Sequence, residues 1–188
     1  MTATLGDRLI SADDVILLRL CSAWDNARVR GILPRPAPLA SILDLETVIP
    51  AHRIWCVLNF VPPRVTVRFV VDCARRVVGP DHRKAIAALD LIDRWLAGET
   101  VTDDELRRAS SAAGAAARLS AVAGRAARAS AADAAEAAYC VRVERHIYVV
   151  AAAAGAARNA VYAVATPARD AERTWQLTRL RELLTEPA

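Results

Sequence analysis

The stretch TDDELRRASSAAGAAARLSAVAGRAARASAADAAEAAYC, residues 102–140, decides the fold. Thr102 and Glu105 have the spacing of a capping box, in which hydroxyl and carboxylate each satisfy a backbone N–H that a helix start leaves unpaired. Alanine, the strongest helix former, then dominates. The pattern predicts a helix running from residue 102 towards 129. Ser130 and Asp133 repeat the spacing and predict a second start, opening a long helix from about 131 to 165. Leu119, Val122, Tyr139, Val143, Ile147, Val150 and Tyr162 supply larger packing residues at intervals, which favours ordered helices over low-complexity disorder. The tract shows no fixed period of the kind that marks a solenoid. Small side chains let helix axes approach closely, so an interior antiparallel pair is predicted near the short end of the usual ~8–10 Å spacing.

Working outward, Thr166-Pro167 supplies a break and a helix-opening proline, and a final amphipathic helix carries Trp175, Leu180, Leu183 and Leu184. Towards the N-terminus, Asp81 is positioned to cap a helix bearing Ile86, Leu89, Trp95 and Leu96 that stops at Gly98. Pro63 opens a helix to Val78. The β-branched residues Val65, Val67, Val70 and Val71 suit a strand, but Val67, Val70, Val71, Ala74, Val77 and Val78 recur at helical spacing, with Arg64, Arg68, Asp72, Arg75 and Arg76 largely opposite. Pro50 opens another helix through Ile54, Trp55, Val57 and Leu58, and Ser41 to Leu45 suit one short turn. Pro34, Pro36 and Pro38 make 31–38 a loop. Before it, the Ser11/Asp14 capping box starts a helix over about 12–30 that Gly31 ends. The expectation is an all-α bundle of about seven helices with no convincing strand. At 188 residues it is read as one domain, 1–188, comprising an N-terminal helix and proline-rich loop (1–38), shorter helices (39–101) and long alanine-rich helices (102–188).

Composition narrows the class. Hydrophobic residues make up 54 %, but aromatics only 5 %, so the core must be thin and built from helices lying close together. The net charge is +4, with no acidic or basic tail. Lys84 is the one lysine beside 24 arginines, a bias that a GC-rich genome imposes, so arginine content alone says little about nucleic acid. Cys21, Cys56, Cys73 and Cys140 form no C-x-x-C pair, which gives a metal or redox motif no support. The opening Met-Thr-Ala-Thr-Leu-Gly-Asp-Arg lacks a basic stretch leading into an apolar one, and a reduced, cytoplasmic protein is expected. Ile147 to Thr166 is the most hydrophobic run, but Arg158 and Asn159 interrupt it, and it is read as a buried helix rather than a membrane span.

Catalytic motifs have no foothold. His52, His82 and His146 stand apart, no nucleophile elbow or H-E-x-x-H occurs, and no glycine-rich phosphate loop can be drawn from seven glycines. Asp90 and Asp93 suggest a carboxylate pair, but Arg94 and Lys84 lie close in sequence and a surface ion-pair cluster is the simpler reading. A scattered enzyme site would need two or more of His52, His82, Asp90, Asp93 and Glu144 in one polar pocket. Trp24, Trp55, Trp95 and Trp175 are read as core anchors. Between Arg107 and Arg128 there is no acid. On a continuous helix Arg107, Arg118 and Arg125 share a face at ~100° per residue, with Arg128 nearby. These four arginines are the candidate partner-binding residues. The competing reading is a solvated helix face.

Taken in order, several segments resemble the alanine-rich immunity proteins encoded beside bacterial polymorphic toxins. They are Ile54-Trp55-Cys56-Val57-Leu58 after Pro50, Val71-Asp72-Cys73-Ala74-Arg75-Arg76-Val77, Arg83-Lys84-Ala85-Ile86 and Trp95-Leu96-Ala97-Gly98-Glu99. The capping segment through Leu106, the alanine tract, and Trp175-Gln176 before Arg179-Leu180 and Leu183-Leu184 extend the resemblance over about residues 40–188. It implies an all-helical, non-enzymatic bacterial protein that binds and neutralises a cognate toxin without a cofactor. The chain departs from the family in its +4 charge, which argues against a basic nuclease as partner, and in the short Gly-Pro-Asp-His-Arg segment after Val78. The alternatives are a scaffold protein that forms a helical homo-oligomer, and a nucleic-acid binder using the Arg107–Arg128 stripe.

Overall fold

The computed structural model describes residues 4–18, 25–118, 122–142 and 146–186. Among these the fold is all-α: nine α-helices, three short 3-10 segments and one two-residue strand pair. The residues group into two compact units, one formed by 1–61 with 177–188 and the other by 62–176.

The first unit holds α1 (Ala12–Leu17), α2 (Asn26–Ile32), α3 (Pro50–Leu58) and the second half of α9 (Arg169–Thr185). Ser11 caps α1 reciprocally with Asp14, as its spacing predicts. The predicted single helix over 12–30 is two helices. Asp25 explains the restart: its backbone is extended and its side chain accepts the Arg28 N–H at 2.8 Å, the geometry of an N-cap. Gly31 lies inside α2 rather than ending it. Strands β1 (Leu9–Ile10) and β2 (Ala37–Pro38) pair antiparallel, so the proline-rich segment read as plain loop makes a short bridge. Pro38 fits there because the amide that donates comes from the next residue, with Leu39 N–H bonding Arg8 C=O at 2.8 Å. The turn expected over 41–45 is a 3-10 segment over Leu39–Asp44. Pro50 opens α3 as expected. Ile10, Leu39, Ile42, Leu43, Val57, Leu58, Leu180 and Leu184 fill the core.

The second unit holds α4 (Pro63–Val77), α5 (Arg83–Leu96), α6 (Asp103–Arg118), α7 (Val122–Arg142), α8 (His146–Ala163) and the first half of α9. Pro63 opens α4, which buries Val67, Phe69, Val70, Val71, Cys73 and Ala74. α5 starts without the Asp81 cap: His82 is the N-cap residue and makes no side-chain capping bond, while its Nδ1 accepts the Gly79 N–H at 3.2 Å. Gly98 ends α5 at φ +92, a left-handed conformation that only glycine adopts freely. Arg64 of α4 reinforces that end, donating to the carbonyls of Trp95 and Leu96 and lying 5.0 Å from the Trp95 ring centre.

The alanine tract departs furthest from its sequence reading. The Thr102/Glu105 box forms as predicted, with the Thr102 hydroxyl accepting from Glu105 N–H and the Glu105 carboxylate accepting from Thr102 N–H. The helix it starts ends at Arg118 rather than near 129, and the next begins at Val122, before Ser130 and Asp133. α6 and α7 run antiparallel: Asp103 pairs with Arg142 at one end, and Ser110 bonds Glu136 one step inward. The expected helix over 131–165 is likewise divided between α7 and α8. Ser130 is a core residue in the middle of α7, its hydroxyl donating to the Ala156 carbonyl of α8 at 2.9 Å. A hydroxyl engaged with a neighbouring helix cannot cap its own.

Where an interior antiparallel pair was expected, α7 takes an interior position. It packs against α4, α5, α6 and α8, and buries Ala127, Ala131, Ala134, Ala135, Ala137 and Ala138. Each methyl returns only about 0.8 kcal/mol on burial, so close approach rather than bulky side chains supplies the contact here. α8, expected to be buried, presents one open face: Tyr148 and Tyr162 are 59 % and 54 % exposed. No helix among the described residues is long and apolar enough to cross a membrane.

Candidate functional site

An open cleft of about 390 Å³ lies over the α6–α7 seam. Gly114 and Ala117 line it from α6, and Arg125, Ala129, Ala132 and Asp133 from α7. Helix periodicity explains the grouping: 125, 129 and 132 follow the three-and-four spacing of one face, and 133 borders it. Three alanines and a glycine keep the cleft open where ordinary side chains would fill it.

Asp133 is its most perturbed group. Burial pushes its carboxyl up to about 6 from an ordinary 3.8, against the stabilising Asn159 hydrogen bond and the Arg158 charge, and Glu136 adds further repulsion. Asn159 Nδ2 donates to Asp133 Oδ2 at 2.8 Å, and that oxygen occupies the space over Gly155 of α8. A carboxylate has about four acceptor sites, and among the described residues Asn159 is the one hydrogen-bond donor to it, which leaves acceptor capacity over.

Of the four arginines singled out by sequence, Arg107 and Arg125 stand on different helices. Arg107 stands at the start of α6, where Asp104 binds both Arg107 and Arg108. Arg125 and Arg128 belong to α7, which runs the other way, so the shared face that a continuous helix would give Arg107 and Arg125 is lost. Arg125 is exposed and borders the cleft; Arg128 is half-buried, with its Nε enclosed. The Arg118 side chain lies outside the described residues. Asp133 was missed as a site residue because its spacing from Ser130 mimics a helix cap. Its real surroundings come from α8, far along the chain.

The other candidates resolve individually. Asp90 and Asp93 belong to an ion-pair cluster, but the cation that holds them is Arg75 of α4, which reaches Asp90 at 2.7 Å and also bonds Asp93. Arg94 instead pairs with Glu99. His52 borders a small apolar cavity of about 20 Å³ in the first unit, beside Val29, Ile42 and Cys56. The His146, Glu144 and Trp24 side chains lie outside the described residues, as does Cys21. Cys56, Cys73 and Cys140 are buried thiols. Burial pushes Cys56 up to about 12 and Cys73 well above its ordinary value, which leaves both as unreactive thiols at neutral pH. Trp95 is buried as a core anchor, whereas Trp175 is half-buried beneath Arg76, whose guanidinium lies 4.2 Å from the ring centre.

Arg76 also bonds Glu172, a carboxylate only 3 % exposed, at 3.0 Å. Gln176 completes the group by donating to Glu172 Oε1 and to the Ala157 carbonyl. This network ties α9 to α4 and α8, and its members are spent on one another. The open cleft with its under-used carboxylate is therefore the better candidate site. No protein-family profile, curated protein or solved structure matches the chain.

Proposed function

We propose that this protein acts by binding another protein stoichiometrically, as an immunity protein or antitoxin that neutralises a toxin, rather than by catalysis. The observation that supports this reading is the α6–α7 cleft: a recess of about 390 Å³ with a small-residue lining, Arg125 on one side and Asp133 on the other. Such a surface admits the side chains of a partner and orients them by charge. The segments that resemble alanine-rich immunity proteins point the same way. A cytoplasmic setting goes with this reading.

Co-expression with the product of the neighbouring gene tests it. Rescue of growth and a one-to-one complex on gel filtration are expected. A neighbouring product that is harmless and does not copurify overturns it.

Self-assembly as a scaffold is a second reading, favoured by Tyr148 and Tyr162, which lie fourteen residues apart on one face of α8. Light scattering that shows a monomer at high concentration removes it. Nucleic-acid binding is disfavoured by the acids beside the arginines, with Asp104 holding Arg107 and Asp133 sharing the cleft with Arg125. A gel shift at low salt, where phosphate contacts are strongest, decides that point.

A further inference from the structure

Charge in the second unit is segregated along its helices. Arg64, at the start of α4, reaches the last carbonyls of α5, so α4 stops where α5 starts, at the far end. Arg76 ties that end of α4 to Glu172 near the start of α9, and Arg169 of α9 lies 5.5 Å from the Tyr162 ring centre at the end of α8. Because α8, α7 and α6 alternate in direction, α7 starts and α6 stops there too. This end gathers Arg83, Lys84, Arg128 and Arg169. Of its acids among the described residues, Glu172 is buried against Arg76 and Asp170 pairs with Arg173, which leaves Asp81. At the opposite end the arginines are matched: Arg94 pairs with Glu99, Arg107 and Arg108 with Asp104, and Arg142 with Asp103. The Arg83 and Lys84 side chains are exposed and form no ion pair among the described residues. Arg128 and Arg169 are half-buried, each with an enclosed Nε that no acceptor among the described residues meets. We infer that this end of the second unit is an interaction surface for an acidic face of the partner protein, whose carboxylates meet Arg83, Lys84, Arg128 and Arg169.

The placement of these cations does not serve the fold. Arg83 and Lys84 are the first two residues of α5, where the helix dipole favours anions, so both oppose it. The Tyr162 ring steadies the Arg169 guanidinium, which lowers the entropy lost when a carboxylate binds it. Charge complementarity selects an acidic partner, and the neighbouring acids select a protein over a phosphate chain. Asp81 and Asp170 stand exposed among the cations and repel a uniformly negative backbone. A protein face carries donors for them beside acids for the bases. The cations also come from the ends of three helices, α5, α7 and α9, rather than from one groove that a nucleic-acid strand could follow. The candidate cleft opens at the same end, since Gly114 and Ala117 fall in the last turns of α6. The inference rests on the protein-binding reading and deepens it by giving the partner's charge.

The test uses the full chain and a decaglutamate peptide as probe, titrated at low salt and followed by amide NMR shifts. Shifts are expected to centre on Gly79, Ala85, Ala129 and Ala168. Neutralising the exposed pair, Arg83→Gln with Lys84→Gln, should weaken the peptide about threefold or more. The control, Arg107→Gln with Arg108→Gln, removes the same charge from the opposite end and should change the affinity far less. Both double variants should keep the circular dichroism spectrum of the wild type. Equal losses in the two variants, or shifts centred elsewhere, overturn the proposal. So does tighter binding of a DNA duplex of equal charge, or of vesicles containing phosphatidylglycerol, since the surface would then read phosphate rather than carboxylate. The same double variants are then compared against the neighbouring gene product. Slower association for Arg83→Gln with Lys84→Gln, and a weaker dependence of that rate on salt, are expected. If the peptide and the association rate ignore Arg83 and Lys84 while that complex still forms, protein binding stands and this end is not the surface used.

Discussion

The carboxylate of Asp133 stands where a side chain on Gly155 would be: a Cβ built on that glycine lies 2.8 Å from Asp133 Oδ2 and 3.3 Å from its Cγ. The two residues belong to adjacent antiparallel helices, and Asn159, one turn from Gly155, holds the carboxylate in place with a 2.8 Å hydrogen bond. A glycine within a helix costs about 1 kcal/mol relative to alanine. Here that cost makes room for a polar group between helices.

Gly155→Ala therefore should not deliver the usual gain in helix stability. The new methyl must displace Asp133 and break its bond to Asn159, and a lower melting temperature than wild type is expected. In the background of Asp133→Ala the same change meets no carboxylate and should stabilise by about 1 kcal/mol. Thermal denaturation of the four proteins checks the cycle. A stabilised single Gly155→Ala variant would show that Asp133 yields freely.

Asp133 also gives stability a pH dependence of unusual sign. Its carboxyl is raised to about 6 in the folded protein from an ordinary 3.8, so the folded state holds this proton more tightly than the unfolded chain. Its contribution to stability is then fully present below about pH 4 and is lost as pH rises through 6. Asp133→Asn should be more stable than wild type at pH 7 by on the order of 2 kcal/mol, with the gap closing towards pH 4. Urea denaturation across that range measures it, and a constant gap counts against the raised carboxyl.

Two consecutive arginines of α4 should behave differently. Arg76 compensates Glu172, which is nearly fully buried, so Arg76→Met leaves a carboxylate without its counter-charge and should cost about 2–3 kcal/mol. Replacing both Arg76 and Glu172 with Met should cost less than Arg76→Met does. Arg75 bonds Asp90 and Asp93 at the surface, where solvent competes, and Arg75→Met should cost under about 1 kcal/mol. Equal losses for Arg75 and Arg76 in urea denaturation would refute the distinction.

Thr102→Ala removes the hydroxyl that accepts the Glu105 N–H at the start of α6. A loss of about 1 kcal/mol is expected. Hydrogen exchange should speed up most at the first turn of α6, at residues 103–106, and a uniform change along α6 would indicate a different cause.

The sequence was legible where a signal is local. The Ser11/Asp14 and Thr102/Glu105 boxes, the prolines that open α3 and α4, and Gly98 each act within a turn or so, and each is used as its chemistry dictates. Ser130 and Asp133 carry the same local signature, but in the fold both face α8, with Ser130 bonded to Ala156 and Asp133 to Asn159. The ends of α6, α7 and α8 were illegible for a related reason. Alanine suits a helix equally well at every position, so local preference sets no boundary, and antiparallel packing of distant segments chooses one. The candidate site inherits that difficulty. Arg125 could be singled out from its charge, while Asp133 acquires its character only when Gly155 and Asn159 arrive beside it.

α7 meets its four neighbouring helices largely through methyl groups. A leucine can turn to another rotamer when its surroundings change, but a methyl has no alternative position to take up. Any enlargement along the buried faces of α7 must shift an entire neighbouring helix. Random mutagenesis should therefore find the middle of this protein almost closed to change, leaving novelty to accumulate on the outward faces.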